Sequence, residues 1–350
     1  MSERSGSRLL ALDALRGVAA LSVVLFHYTT RFDQLFAPPT RSAFAFPHGH
    51  YGVNLFFIIS GFVIFMTLER TRRPADFVVS RFSRLFPTYW MAILLTFSIT
   101  HALGLPGKLV GAGTALANAA MLHGLFGVAH VDGVYWTLEV ELLFYFGMFA
   151  LYLAGQLKTI HLAMALVLSI RWVYFAASQA FGIDLPWTIY RLLILEHLPW
   201  FALGIAIHSL TRAQPVEGHR QPLGLAGFAL LTLAITDSPL KAGLAAALSA
   251  AVWLAVSGRA RILQWSPLVW LGSISYSLYL IHENIGWCLL LRLDGRVTPE
   301  VAVGLTLAVA LGLSHALTRI VEQPAMRWVR TRYRKWQVST VGSGSAKGSP

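Results

Sequence analysis

Arg16 and His27 have the types and spacing in this sequence that could do chemistry together. Both lie in LDALRGVAALSVVLFHY, residues 12–28, an otherwise apolar run long enough for a membrane helix. An ionisable side chain inside such a helix is expensive and by default marks a functional site. Eleven residues is close to three helical turns, so both side chains share one face, roughly 16 Å apart along the axis. A cation near one mouth of a membrane cavity and an imidazole deep within it suit a long substrate with an anionic head and a reactive tail. Acyl-coenzyme A has that shape. The plainer alternatives are that Arg16 snorkels beside Asp13 at i−3 and that His27 is a hydrogen-bonded interior histidine.

Three further stretches carry groups of the same kind. RFSR at 81–84 sets Arg81 and Arg84 on one face where a span begins. Two guanidiniums there can grip phosphates in bidentate fashion, or simply anchor the positive side of the membrane. WTLEVELLFY at 136–145 holds Glu139 and Glu141, which point about 200° apart on a helix, so at most one faces a cavity squarely. Glu141 shares a face with Leu138 and Tyr145. It is the expected partner of His27, at similar depth, orienting the imidazole and stabilising its cation. An interfacial glutamate in water is the alternative. SYSLYLIHE at 275–283 has a polar stripe of Ser275, Tyr276 and Tyr279, with His282 and Glu283 well inside the span. Tyr276 and His282 are expected to line an acceptor channel, unless these are helix-packing groups. His48, His50, His123, His130, Arg171 and the Glu196–His197 pair are weaker signals. No H-E-x-x-H pattern occurs, so no metal is expected, and neither a Walker A motif nor G-x-S-x-G is present.

The elements that must position these groups are membrane helices. The 350 residues are 56% hydrophobic and 13% charged, about half the charged share of a soluble protein. The fold class expected is all-α, a polytopic helical bundle with about ten spans: 12–31, 51–68, 84–104, 134–154, 160–180, 191–210, 222–236, 239–257, 268–291 and 299–321. Residues 112–126 hold too few large apolar side chains for a confident span and read as a short surface or re-entrant helix. The organisation expected is a cytoplasmic N-terminus (1–11), a transmembrane domain (12–325) and a basic cytoplasmic tail (326–350) with a disordered low-complexity end. Of the 28 Lys and Arg, this arrangement puts 18 on the cytoplasmic side, 7 on the opposite side and 3 within spans, favouring N-in and C-in. The net charge of +12 sits in short loops and the tail, not on a basic-aromatic surface of the nucleic-acid kind. The first apolar run is too long for a signal peptide, carries Arg16 and His27, and lacks an A-x-A site. The single Cys288 cannot form an intrachain disulfide.

LDALRGVAALSVVLFHY, GVNLFFIISGF, RFSRLFPTYW, WTLEVELLFYF and SISYSLYLIH occur in this order. Together they resemble the acyltransferase-3 family of membrane O-acyltransferases, over about residues 8–330. The family's arginine-x10-histidine pattern falls on Arg16 and His27, and its R-x-x-R on Arg81 and Arg84. Its W-S-L-x-x-E-x-x-F-Y element falls on Trp136, Thr137, Leu138, Glu141, Phe144 and Tyr145. Thr137 replaces the usual serine, and Leu142 and Leu143 stand where polar residues often follow the glutamate. The resemblance implies transfer of an acyl group, usually acetyl from acetyl-coenzyme A, across a bacterial inner membrane to a hydroxyl, commonly of a cell-surface or exported glycan. The chain is similar to the stand-alone type without a fused hydrolase-like domain. On this resemblance Arg16, Arg81 and Arg84 hold the coenzyme phosphates. His27 acts at the thioester as general base or nucleophile, with Glu141 supporting it. Acyl-coenzyme A is a co-substrate, and no permanently bound cofactor is implied. The expected partners are the coenzyme, the acceptor and the bilayer, with a homodimer left open. The rival readings are a proton-coupled transporter or flippase using Arg16, His27 and Glu141 as a relay, a non-catalytic scaffold, and an acyltransferase for a lipid or antibiotic.

Overall fold

A computed structural model describes residues 2–183, 185–212 and 216–345. Among these residues every regular element is helical and no strand occurs. A helix satisfies its backbone within its own segment, which lipid requires. The main helices are α1 (Ser2–Phe26), α2 (Gly52–Arg70), α3 (Pro74–Leu103), α4 (Trp136–Leu153), α5 (Ile160–Phe181), α6 (Leu198–Arg212), α7 (Arg220–Thr236), α8 (Pro239–Val256), α9 (Ser266–Leu293), α10 (Pro299–Leu317) and α11 (Gln323–Ser345). Prolines open α3, α8, α9 and α10, where a missing N–H costs nothing. Helix α9 runs against α1, α3 and α10, while α2 packs between α1 and α6.

The α1–α9 crossing fixes the centre of the bundle. A Cβ on Gly17 would stand 2.6 Å from the Gly272 backbone nitrogen, and one on Gly272 would stand 2.1 Å from the Asp13 carbonyl oxygen. The two backbones touch because neither residue has a side chain, the usual small-residue solution where lipid gives helices no hydrophobic drive to associate. Beyond this crossing α1 ends in a π-helical turn, His27–Arg31. There the His27 carbonyl accepts twice, from the Phe32 backbone N–H and from the Trp287 indole at 2.9 Å.

Seven described segments are long and apolar enough to cross a membrane, against the ten spans expected. The other three exist as helices. α6 and α7 are short, at 15 and 17 residues. α9 has 28 residues, but its buried Ser, Tyr, His, Glu and Asn make it less apolar. α3 begins at Pro74, ten residues before the expected span, so the connector shrinks to residues 71–73 and Arg81 and Arg84 lie inside the helix. Pro74 and Asp76 in the first turn start it where hydropathy alone does not. The expected span 191–210 is broken: Trp187–Leu192 is a short helix, and α6 starts at Leu198. The buried Arg171 guanidinium accounts for the break. It donates to the carbonyls of Leu195 (3.0 Å) and Glu196 (2.8 Å) and pairs with Asp237. The 112–126 stretch holds a helix of seven residues, Ala112–Asn118, and a 3₁₀ turn, His123–Phe126.

The tail is helical to Ser345 and lies on α3. Tyr333 and Gln337 both donate to Asp76, at 2.8 and 3.0 Å. Residues 346–350, the end of the low-complexity stretch, lie outside the described residues.

The glycine crossing makes a direct stability prediction. Gly272→Ala should destabilise the protein by about 1–3 kcal/mol, the usual cost of overpacking. Gly304→Ala, whose Cβ would meet nothing within 4 Å, should not. Thermal melts of the two variants in detergent check this, and equal melting would remove the crossing from its structural role.

Candidate active site

His27 stands where α1, α9 and the loop before α4 converge. Its Nδ1 lies 2.9 Å from the Val23 carbonyl and 3.1 Å from His282 Nε2. The Nδ1 of His282 faces the carbonyls of Tyr279 (2.9 Å) and Leu278 (3.2 Å). A carbonyl only accepts, so Nδ1 of His282 carries its proton and its Nε2 is a lone pair. His27 Nδ1–H therefore donates to Val23 and His282, and its Nε2 is left as the basic nitrogen. That Nε2 lies 3.3 Å from Glu283 Oε2. A neutral imidazole with a fixed tautomer beside a carboxyl can take a proton and have the resulting cation stabilised.

Glu283 is buried and held close by the loop in front of α4. A Cβ on Gly133 would stand 2.3 Å from Glu283 Oε1, so glycine leaves the carboxyl its room. Buried Asp132 accepts from the backbone N–H groups of Val134 (3.3 Å) and Asn284 (3.2 Å). Asn284 in turn donates to the Val131 carbonyl at 2.8 Å. These bonds clamp the loop to α9 beside the histidine. Farther out on the same loop, His123 and His130 lie 2.7 Å apart. Burial and the neighbouring His130 push His123 down to about 4, and burial lowers His130, so neither adds charge at neutral pH.

Two cavities meet at this level. The outer one, ≈ 610 Å³, is lined by His27 and Glu283, by aromatic Tyr51, Trp136 and Trp200, and by polar Gln34, Asn54, Glu196 and Asp237. The inner one, ≈ 60 Å³, is lined by Arg16, Arg84, Glu141, Ser275 and Tyr276. Val53, Phe57 and Tyr279 line both and form the boundary, or neck, at which the two adjoin. The Tyr279 hydroxyl is fixed there by Thr137 at 2.8 Å. Arg16 pairs with Asp13 at 3.5 Å. Tyr276 donates to the Leu85 carbonyl at 2.9 Å.

The structure thus brings Arg16, Arg84, Glu141 and Tyr276 together on one side of the neck and His27 on the other, while His282, expected to line an acceptor channel with Tyr276, is buried behind His27 and lines neither cavity. Arg81 is not part of the cavity wall. Its guanidinium lies over the rings of Phe77 and Tyr145, 6.0 and 5.9 Å from their centres. The expected pairing of Glu141 with His27 is corrected. Glu141 accepts from Ser60 (2.8 Å) and Tyr145 (2.5 Å), and Glu283 is the carboxylate at His27. The reason is geometric: Trp136 lines the cavity of His27, and Glu141, five residues further along α4, has already reached the cavity of Arg16 and Arg84. Glu139 turns away to Arg191 at 2.8 Å. The signal for Glu283 was available as a second ionisable residue next to His282 deep in a span. The roles of Gly133 and Asp132 had no comparable sequence signal.

The family profile described as an acyltransferase domain, acyltransferase-3, matches residues 9–318. The chain belongs to this family. That membership favours acyl transfer over the transporter reading. Among curated relatives, an exopolysaccharide production protein, ExoZ of Rhizobium meliloti, is 29% identical over 270 residues, covering 71% of this chain and 80% of that protein. Nodulation protein 10 of Rhizobium leguminosarum bv. viciae is 30% identical over 41% of this chain and 44% of its own length. Protein 2 in the picA locus of Rhizobium radiobacter is 36% identical over 30% of this chain and 54% of its own length. The chain thus spans about half the length of these last two. No solved structure matches.

Exchanging Glu283 for glutamine should perturb the imidazole ¹⁵N signals of His27, while Glu141→Gln should leave them in place. Selective ¹⁵N-histidine spectra of the two variants test the assignment. A response to Glu141→Gln equal to that of Glu283→Gln would undo it.

Proposed function

We propose that this chain moves an acetyl group from cytoplasmic acetyl-coenzyme A to a hydroxyl of an exported polysaccharide, as an inner-membrane O-acyltransferase with ten spans and both termini cytoplasmic. The observation that carries the reading is the pair of cavities meeting at one neck, arginines in the inner one and the basic nitrogen of His27 in the outer one. The asymmetry of Lys and Arg supports the orientation. Arg16 and Arg84 face the coenzyme phosphates. Arg81, stacked on Phe77 and Tyr145, adds charge from behind. The pantetheine arm passes Phe57 and Tyr279 and delivers the thioester to His27.

The acceptor hydroxyl gives its proton to His27 Nε2 as its oxygen attacks the thioester carbonyl, and Glu283 stabilises the imidazolium formed. The carbon–sulfur bond breaks, and the leaving thiolate takes the proton back from Nε2. The outer cavity offers what a sugar needs: aromatic faces at Trp136 and Tyr51, and hydrogen-bonding groups at Asn54, Gln34, Glu196 and Asp237. The printed name of the Rhizobium meliloti relative, an exopolysaccharide production protein, supports an acceptor of this class.

Purified protein with acetyl-labelled coenzyme A and a panel of bacterial glycans tests the proposal. Label should reach a glycan with wild type and not with His27→Ala. Glu283→Gln should lower kcat by roughly 10²–10⁴, the range for a general acid–base group, at unchanged coenzyme affinity. Arg84→Lys should weaken that affinity. Label trapped on the protein would replace the base role by an acyl-imidazole. Transfer only to lipid or antibiotic acceptors would overturn the glycan assignment.

A further inference from the structure

The inner mouth carries more positive charge than the cavity wall uses. Helix α11 lies across the start of α3, and the Nε of Arg330 donates to the buried Ser83 hydroxyl at 3.4 Å. Ser83 lies between Arg81 and Arg84 in sequence. The Arg330 guanidinium stands in the electrostatic field of Arg81, Arg84 and Arg334. Among the described residues none of these four arginines is in an ion pair. The ion-paired arginines are Arg16, Arg171, Arg191 and Arg212. Of the nearby carboxyls, Glu322 accepts from Ser277 and Thr318 and acts on Arg84 through space, and Asp76 accepts from Tyr333 and Gln337. Four like charges at one mouth, two of them on exposed side chains, make a positive patch that attracts an anion.

The helix geometry says which anion. Arg330, Tyr333, Arg334 and Gln337 follow a spacing of three and four residues and share one face. Tyr333 and Gln337 hold that face to Asp76 of α3. The opposite face, about 200° round, carries exposed Trp328 with Arg332 over its ring at 5.8 Å. The tryptophan face suits the membrane interface. The Arg330 face is pinned beside α3 through Ser83 and Asp76, and Arg330 and Arg334 themselves are exposed at its rim, open to an anion.

We propose that Arg330 of the tail helix completes a phosphate site with Arg81 and Arg84 and takes the 3′-phosphate of the coenzyme's adenosine end. The inference rests on the function proposed above. Arg84 lines the inner cavity, and Arg330 lies on the element packed outside it. A coenzyme entering thioester first leaves its adenosine end last, at this outer position. A phosphomonoester is close to doubly charged at neutral pH, and guanidinium forks match its oxygens.

The test measures the affinity of coenzyme A and of 3′-dephospho-coenzyme A for the full chain in phosphatidylcholine nanodiscs. Wild type, Arg330→Gln, Arg330→Lys and Arg332→Gln are compared. Arg330→Gln should bind coenzyme A about tenfold more weakly and bind the dephospho form as wild type does. Arg330→Lys should recover part of the loss, and Arg332→Gln should show none. Unchanged coenzyme A affinity in Arg330→Gln overturns the site. So does an equal loss for both ligands, which would make Arg330 a strut for α11. Loss of the difference in phosphatidylglycerol nanodiscs would hand the site to lipid headgroups. Failure of the wild type to bind either ligand would instead sink the coenzyme reading itself.

Discussion

The contact on which the site depends is the glycine crossing of α1 and α9. With Gly17 and Gly272 facing each other, the two helices touch backbone to backbone. From that point His27 lies ten residues along α1, and His282 lies ten residues along α9. Equal distances from one contact are about 15 Å each at 1.5 Å per residue, which brings the two imidazoles to the same depth. Their rings stand 5.0 Å apart. A side chain at the crossing would separate the helices at the point from which both histidines are measured.

The second constraint is the cost of polarity in lipid, and the bundle meets it with local partners. Arg171 holds the carbonyls exposed by the break before α6. Glu322, at the π-helical turn after α10, accepts from Ser277 and Thr318. Asp132 spends both carboxylate oxygens on backbone N–H groups of the loop and α9. Each of these groups is tied to structure. His27 Nε2 differs because its companion at 3.3 Å, Glu283, comes with no further fixed donor among the described residues, and the pair faces a cavity.

Much of this was legible in the sequence, for identifiable reasons. Membrane character follows from composition, and the common face of Arg16 and His27 follows from helical period. Arg84 at the inner cavity follows from its spacing where an apolar run begins, whereas Tyr276, expected in an acceptor channel, lines that same arginine cavity. The break before α6 was not legible, because its cause is Arg171 in the preceding helix, distant in sequence. Nor was the early start of α3, since an amphipathic turn at a mouth carries little hydropathy. The partner of His27 was misplaced because depth was read from span ends. Glu141 is near the outer end of α4 by number, yet five residues of rise carry it about 7.5 Å inward. Glu283 comes from the helix that the glycines press against α1.

On the proposed reading, the neck does work that neither cavity can do alone. The two cavities share only Val53, Phe57 and Tyr279, and the Tyr279 hydroxyl is held to Thr137. A thioester arm is thin and mostly neutral, so it can thread an aromatic and aliphatic ring. The phosphates cannot follow it, because their charge would have to leave the arginines for an uncharged wall. Charge therefore sets how far the coenzyme enters, and the Arg16-to-His27 spacing sets where its reactive end stops. The acceptor approaches from the wider outer cavity and meets the carbonyl at His27 Nε2. On this reading size and charge keep the coenzyme phosphates and the acceptor apart, and only the thioester arm with its acyl group passes from one cavity to the other.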